Sequence, residues 1–257
     1  MVKIVSVSNQ KGGVGKTTTA VNLAAALASK LKDVLLIDID GQANASQGLG
    51  IEHDKVRMSV YEVLMGNANP AEVIISTSRE LLDIMPSSEN LSGAKVELVS
   101  VERREYRLKE ALGKIEKSYD YIIIDSPPSL DLLTINSLVA SNSVIIPIQC
   151  EYYALEGLKS LMNMLGRIKR GLNAGLEIEG VLLTMYDSRT RLSYQVMDNI
   201  RQHFQGAVYE TVIPRNVRLA EAPSFGSTIF DYDPSSSGGR AYMKLAEEFL
   251  AANKDSE

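Results

Sequence analysis

Apolar runs and stretches of helical periodicity alternate along this chain. Residues 2–7, 34–38, 81–86, 121–125, 144–148 and 178–183 are short, apolar and rich in β-branched side chains, the pattern of strands covered on both faces. Helices are predicted over 18–31, 59–65, 100–117, 154 to about 170, 191–204 and 239–252, with 100–117 a charged amphipathic surface helix. A short strand is expected at 207–211, a polar Gly-containing loop at 41–50 and a flexible loop at 235–239. This alternation predicts an α/β fold: a doubly wound, mainly parallel sheet with helices on both faces. No linker, repeat or low-complexity block interrupts it, so the 257 residues are expected to form a single domain over 1–257 with a sizeable core.

The first strand runs into Asn9-Gln10-Lys11-Gly12-Gly13-Val14-Gly15-Lys16-Thr17-Thr18-Thr19, and an Ala/Leu-rich helix follows. The first N–H groups of such a helix have no partner in the chain and point at whatever lies above the turn. Glycines let the backbone wrap an anion, and the helix dipole favours negative charge there. Lys16 is placed to reach the β- and γ-phosphates of a nucleotide, and the Thr17 hydroxyl to ligate Mg²⁺. The ordinary P-loop has glycine five residues before Gly15, where this chain has Gln10, and it has a second lysine, Lys11.

In a doubly wound sheet, ligands bind beyond the carboxyl ends of the strands. Two apolar strands end there in Asp38 and Asp125, and Asp40 follows two residues after Asp38, a spacing at which strand alternation points both side chains the same way. Mg²⁺ keeps most of its waters. Thr17 is therefore the expected direct ligand, Asp38 and Asp125 are expected to act through water, and Asp40 is left to orient or deprotonate an attacking water. The plain alternative for any one of these carboxylates is a helix cap or a loop ion pair.

The form Lys11-Gly12-Gly13-Val14-Gly15-Lys16-Thr17 resembles the deviant Walker A box of the ParA/MinD family of ATPases. Asp38-Ile39-Asp40-Gly41-Gln42-Ala43-Asn44 is similar to the family's second box, and Asp125-Ser126-Pro127-Pro128 to its Walker B and switch region. The segments 149–157 and 213–224 resemble the chromosomal ParA/Soj branch, and the similarity covers nearly the whole chain. The resemblance implies ATP and Mg²⁺ as cofactors, with Lys11, Lys16 and Asp40 catalytic. It implies phosphate contacts from Lys11, Gly12, Gly13, Val14, Gly15, Lys16, Thr17 and Thr18. Lys11 would reach across a homodimer to the partner's nucleotide. Pro214 and Asn216 would lie against the adenine, although a loop in which proline and asparagine do turn work reads equally well from the residues alone. Arg189 and Arg218 match positions that contact DNA in that branch. The expected function is an ATP-dependent dimerising switch that binds double-stranded DNA without sequence preference and segregates a chromosome or plasmid with a ParB-like protein. The expected location is cytoplasmic and nucleoid-associated. Where the family usually has proline after the second aspartate, this chain has Gly41, so the loop carrying the attacking water is expected to be looser.

Composition narrows the alternatives. The formal net charge of −5 argues against a uniformly basic nucleic-acid binder, yet residues 159–218 hold nine basic and five acidic side chains. No apolar run reaches the length of a membrane span, and Met1-Val2-Lys3 leads straight into the first strand, so no signal peptide is expected. The alternative of a MinD-like membrane-associated ATPase in division-site placement needs a basic amphipathic C-terminal helix. Residues 242–257 instead have core-type spacing and an acidic tail, so no membrane partner is expected. A nitrogenase-iron-protein-like carrier needs cysteines for its cluster, and the single Cys150 reads as a buried thiol at a strand end. A metabolic synthetase on the same fold stays open, although no second substrate site is legible.

Overall fold

The computed structural model describes residues 2–151 and 154–254. Tyr152 and Tyr153 of the ParA/Soj-like segment, Met1, and the acidic tail 255–257 lie outside the described residues.

Seven strands form one sheet: β1 (Lys3–Val7), β2 (Val34–Asp38), β3 (Ile75–Ser76), β4 (Leu82–Met85), β5 (Tyr121–Asp125), β6 (Ser143–Gln149) and β7 (Glu177–Thr184). Their order is β3-β4-β2-β5-β1-β6-β7, and every pairing is parallel except β3 with β4. The helices are α1 (Lys16–Ser29), α2 (Asn44–Gly48), α3 (Val60–Met65), α4 (Pro70–Val73), α5 (Leu91–Glu97), α6 (Arg107–Leu112), α7 (Leu132–Ala140), α8 (Ala154–Gly171), α9 (Arg191–His203), α10 (Val217–Glu221), α11 (Ile229–Tyr232) and α12 (Ser237–Ala252).

Strand alternation sorts the core. Val34 and Leu36 face a cluster built with α1 and α12, while Leu35 and Ile37 face a second cluster built with α3, α5 and α6. A third cluster joins Val144, Ile146 and Ile148 of β6 to α8 and α9. The alanines of α1 let it lie close between the sheet and α12, with Leu23 and Leu27 fully buried. Truncating either leucine to alanine is expected to cost about 2–5 kcal/mol. At the opposite edge from the strand ends, Lys3 and Asn253 both bond the buried Glu179 carboxylate, at 2.7 Å each, which ties the end of α12 to β1 and β7.

Four expectations change. The helix expected over 100–117 shrinks to α6, because Arg103 takes a left-handed conformation (φ 52°) and breaks the run. Residues 207–211 form no strand. They lie beside β7 through one isolated bridge, Val181 with Val208, where the Tyr209 ring fills the space above Gly180. The loop 41–50 contains α2, and α12 begins at Ser237, capped by the Ser236 hydroxyl on the Gly239 N–H at 3.0 Å. Helix α7 was not anticipated. Asp131 caps it through the Leu133 and Thr134 N–H groups, and it fills the space between the second and third core clusters.

Candidate nucleotide-binding site

Strands β2, β5 and β1 lie side by side, and the register pairs Asp38 with Asp125 and Asp125 with Val7. Both carboxylates therefore emerge at the same edge as the loop that leaves β1. That loop is held by its neighbours. The Asn9 amide donates to the Pro147 carbonyl at 2.7 Å, and the Lys11 N–H donates to Asn9 Oδ1 at 3.0 Å. The Thr184 hydroxyl donates to the Val14 carbonyl at 2.8 Å. Gly13 and Gly15 have φ of 73° and 85°, a region that side chains with a Cβ rarely adopt, so both turns require glycine. A Cβ on Gly12 or Gly13 would meet open space, so the loop is a concave rim with nothing packed into it. Lys16 opens α1 directly beneath.

The two lysines of the motif are treated differently. Lys16 is only 7% exposed, and its ammonium donates to the Lys11 carbonyl at 2.9 Å. Burial lowers its pKa, and the charges of Asp125 and Asp40 oppose that drop. The Lys11 side chain is 51% exposed and forms an ion pair with Glu151 at the end of β6.

Asp38 is fully buried. Its Oδ2 accepts the Ser46 N–H and hydroxyl, each at 2.8 Å, and Oδ1 accepts the Asp40 N–H at 3.2 Å. Burial pushes its pKa up to about 6, and the Ser46 bonds restrain the rise. Asp125 is equally buried, and neither oxygen meets a donor in hydrogen-bonding geometry. Its pKa lies well above the usual carboxylate range because of burial and then of Asp38, with the nearby Thr17 hydroxyl and Lys16 opposing part of the rise. A buried carboxylate with both oxygens unpartnered fits a bound cation or its waters. The local donors are hydroxyl and carboxylate oxygens, the set a hard cation such as Mg²⁺ takes. Among the described residues no cluster of three His, Cys, Asp or Glu forms a metal cage. Asp40 is half-buried beyond the strand end, with Oδ1 accepting the Gln42 N–H at 3.1 Å. Gly41 is closely packed, against the expectation of a loose loop: Ser92 occupies the space its Cβ would need.

Beside Gly15 and Thr18 lies a pocket of about 220 Å³ walled by Met185, Ile213, Pro214, Arg215, Asn216 and Tyr242. Pro214 and Asn216 thus border the glycine loop. Asn216 also does the turn work that its residue type suggested: its Oδ1 caps α10 at the Arg218 N–H, 2.7 Å away, and its amide donates to the Ser237 hydroxyl at 2.6 Å. Arg189 and Arg218 stand on the surface, each already engaged. Arg189 forks onto Asp187 at 2.9 and 2.7 Å, and Arg218 meets Glu221 at 2.9 Å and Asp233 at 3.6 Å.

The structure adds residues that the sequence reading did not single out. Ser46 holds Asp38, Thr184 braces the glycine loop, and Met185 and Tyr242 wall the pocket. Thr184 had a usable signal, being a hydroxyl at the carboxyl end of an apolar strand. Ser46 had none, since its role depends on α2 turning back onto β2.

Comparison with known proteins matches this geometry. A family model described as an AAA domain matches residues 2–178. The sporulation initiation inhibitor protein Soj of Bacillus subtilis is 56% identical over 98% of this chain and 100% of its own length. The chain belongs to the Soj/ParA family of chromosome-partitioning ATPases. The chromosome partitioning protein ParA of Myxococcus xanthus is 50% identical over 96% of this chain and 88% of its own. Among solved structures, cobyrinic acid a,c-diamide synthase from Mycobacterium smegmatis, with bound ATP analogue and magnesium, superposes with a TM-score of 0.88 at 35% identity, covering 100% of this chain and 98% of that one. Family membership agrees with the mostly parallel α/β sheet. Among the described residues, no helix is long and apolar enough to cross a membrane.

Proposed function

We propose that this partitioning ATPase is an ATP-dependent dimerising switch that binds DNA without sequence preference and hydrolyses ATP to segregate a chromosome or plasmid with a ParB-like partner. The observation that carries the reading is the contrast between the two lysines: Lys16 is buried under the glycine loop, and Lys11 stands half-exposed at its rim. A buried ammonium serves its own protomer's phosphates. An exposed one at the rim, paired with the partly exposed Glu151, would exchange that partner for the phosphates of a second protomer, as an arginine finger does.

ATP, when bound, supplies the γ-phosphoryl group, and Mg²⁺ neutralises its developing charge. Lys16 and the N–H groups of residues 12–18 would hold the phosphates, Thr17 the cation directly, and Asp38 and Asp125 its waters. Asp40, half-buried at the rim, would orient the attacking water. The base would enter the pocket beside Pro214 and Asn216. Arg189 and Arg218 would exchange their carboxylate partners for DNA phosphates, and a dimer would present two copies of the surface. A location on the nucleoid follows from that surface. The apolar face of α12, with Tyr242, Leu245 and Phe249 in the core, is already used in packing, which favours this reading over a MinD-like membrane anchor.

Sizing chromatography with ATP, with ADP and without nucleotide tests the switch. A dimer is expected with ATP alone. Asp40→Ala should bind ATP, fail to turn it over and accumulate as a dimer, and Lys11→Ala should remain monomeric with ATP. Dimerisation of Lys11→Ala with ATP would remove the cross-protomer role, and normal turnover by Asp40→Ala would assign the water to another group.

A further inference from the structure

The departure at position 41 has a structural counterpart on another element. A Cβ on Gly41 would lie 2.6 Å from Ser92 Oγ, 3.2 Å from the Ser92 nitrogen and 3.4 Å from its Cα. The nitrogen distance is tight for any Cβ and the Cα distance is at the edge of ordinary contact, so glycine here lets the start of α5 close onto the segment that carries Asp40. The same β4–α5 connection reaches Asp40 a second time. The fully buried Ser87 donates its hydroxyl to the Asp40 carbonyl at 2.7 Å, and its N–H to the Ser46 hydroxyl at 3.1 Å. Ser46 in turn donates its own hydroxyl to Asp38 Oδ2 at 2.8 Å. Three further bonds on Asp40 are local, from its own N–H to Asp38 Oδ1 at 3.2 Å, from Ala43 N–H to its carbonyl at 2.9 Å and from Gln42 N–H to Oδ1 at 3.1 Å. Ser87 brings the bond that ties this local turn to the rest of the fold.

We propose that Ser87 and Ser92 are positioning residues for the hydrolytic step: the β4–α5 connection sets the Asp40 segment against the phosphate site, and Gly41 is the position that admits it. This rests on the reading of Asp40 as the residue that orients water. Ser92 stands in for the stiffness that proline gives the usual motif, because a packed neighbour restrains the peptide that a ring would otherwise restrain.

The test uses the full chain with ATP, Mg²⁺ and DNA, reading kcat and KM together with hydrogen–deuterium exchange of the Gln42 and Ala43 amides. Ser87→Ala and Gly41→Ala are expected to lower kcat by about tenfold with KM within about twofold, since a small displacement of a water-orienting group slows chemistry without touching nucleotide contacts. Both should speed exchange at those two amides. Gly41→Ala combined with Ser92→Gly should recover part of kcat and slow the exchange again, because the 2.6 Å contact is gone while the 3.2 Å approach to the backbone nitrogen remains. Unchanged kcat and exchange in both single variants would overturn the proposal, as would a double variant no better than Gly41→Ala. Asp40→Ala, run alongside, separates the two claims. If it hydrolyses ATP at the parent rate, the hydrolytic reading of Asp40 fails, while exchange at Gln42 and Ala43 still decides whether Ser87 and Ser92 hold the segment. Thermal melts show whether Ser87→Ala is folded, and Gly41→Ala provides the test at a less buried position.

Discussion

Asp125 sits at the carboxyl edge of the sheet with both oxygens buried and unpartnered, whereas Arg189 stands 85% exposed in a polar loop with Asp187 forked onto it. The first environment is imposed by three adjacent strands in register and is costly in isolation: a buried carboxylate that the nearby Thr17 hydroxyl and Lys16 relieve only in part raises its own pKa and gains further stabilisation from an outside partner. The second costs little, since an exposed arginine pairs with a nearby acid or with water almost equally well. A site built at such cost is committed to one chemistry. A surface built so cheaply is committed to a sign of charge, and its partner is chosen by competition. Under the proposed function, this contrast would let one nucleotide site govern a generic DNA surface: the buried end would report the nucleotide, and the exposed end would exchange partners once a second copy is brought alongside.

The contrast breaks most sharply at Lys16. Lys16→Ala should weaken ATP binding by about 100-fold or abolish it, because a buried cation aimed at phosphate has no substitute there. Calorimetric titration with ATP and Mg²⁺ measures this, and unchanged affinity would take Lys16 out of its role.

The strain attributed to Asp125 predicts an opposite effect on stability. Asp125→Asn should stabilise the nucleotide-free protein near neutral pH by about 1–2 kcal/mol while removing most of the stabilisation that Mg²⁺ and ATP give the parent. The sign follows from its raised pKa. A carboxyl whose folded pKa lies above its unfolded value contributes stability that is complete below the unfolded pKa and is lost as pH rises through the folded one. For Asp38 that window runs from its ordinary value of 3.8 to about 6. The gap in Tm between Asp125→Asn and the parent should therefore widen as pH rises above the ordinary carboxylate range and close on acidification. A parent more stable than the variant at every pH would contradict the account.

At the exposed end, Asp187→Asn should raise DNA affinity by about three- to tenfold with ATP, because it releases the Arg189 fork and removes a negative charge from the surface. Arg189→Ala in the same background should cancel the gain. A gain that survives would mean that Asp187 acts by general repulsion instead. The smallest effect concerns Cys150, whose thiol is pushed up to about 11 by burial. It should react with an alkylating reagent only on unfolding, and rapid labelling of the native protein would contradict its place in the core.

What could be read from the sequence follows the same division. The phosphate loop and the Asp38–Asp125 pair were legible because burial forces apolar strands to end in line, and glycine, lysine and threonine at a strand–helix turn leave few other uses. The break in residues 100–117 was not legible, because a left-handed Arg103 depends on its ring contact with Tyr106 and on Arg104 bonding the Val99 carbonyl at 2.7 Å. Helix α7 begins at a legible cap, Asp131, but lies close behind Pro127 and Pro128, where the chain reads as a loop. Arg189 and Arg218 pair with acids two and three residues away, where spacing alone does not say whether such neighbours touch, and Arg218 also reaches the distant Asp233. Ser46, Ser87 and Ser92 were silent because each acts through the way one loop folds onto another.

The central claim is that the buried nucleotide site controls the exposed basic surface, and a DNA mobility shift across a salt series, run with ATP and with ADP, tests it most directly. With ATP, binding to unrelated duplexes should be equal in strength and fall steeply between about 50 and 200 mM salt, as counterion release requires. With ADP it should be much weaker at every salt concentration, and Arg189→Glu or Arg218→Glu should lower the ATP-state affinity while ATP binding and dimerisation persist. Equal DNA binding in the two nucleotide states would contradict the account.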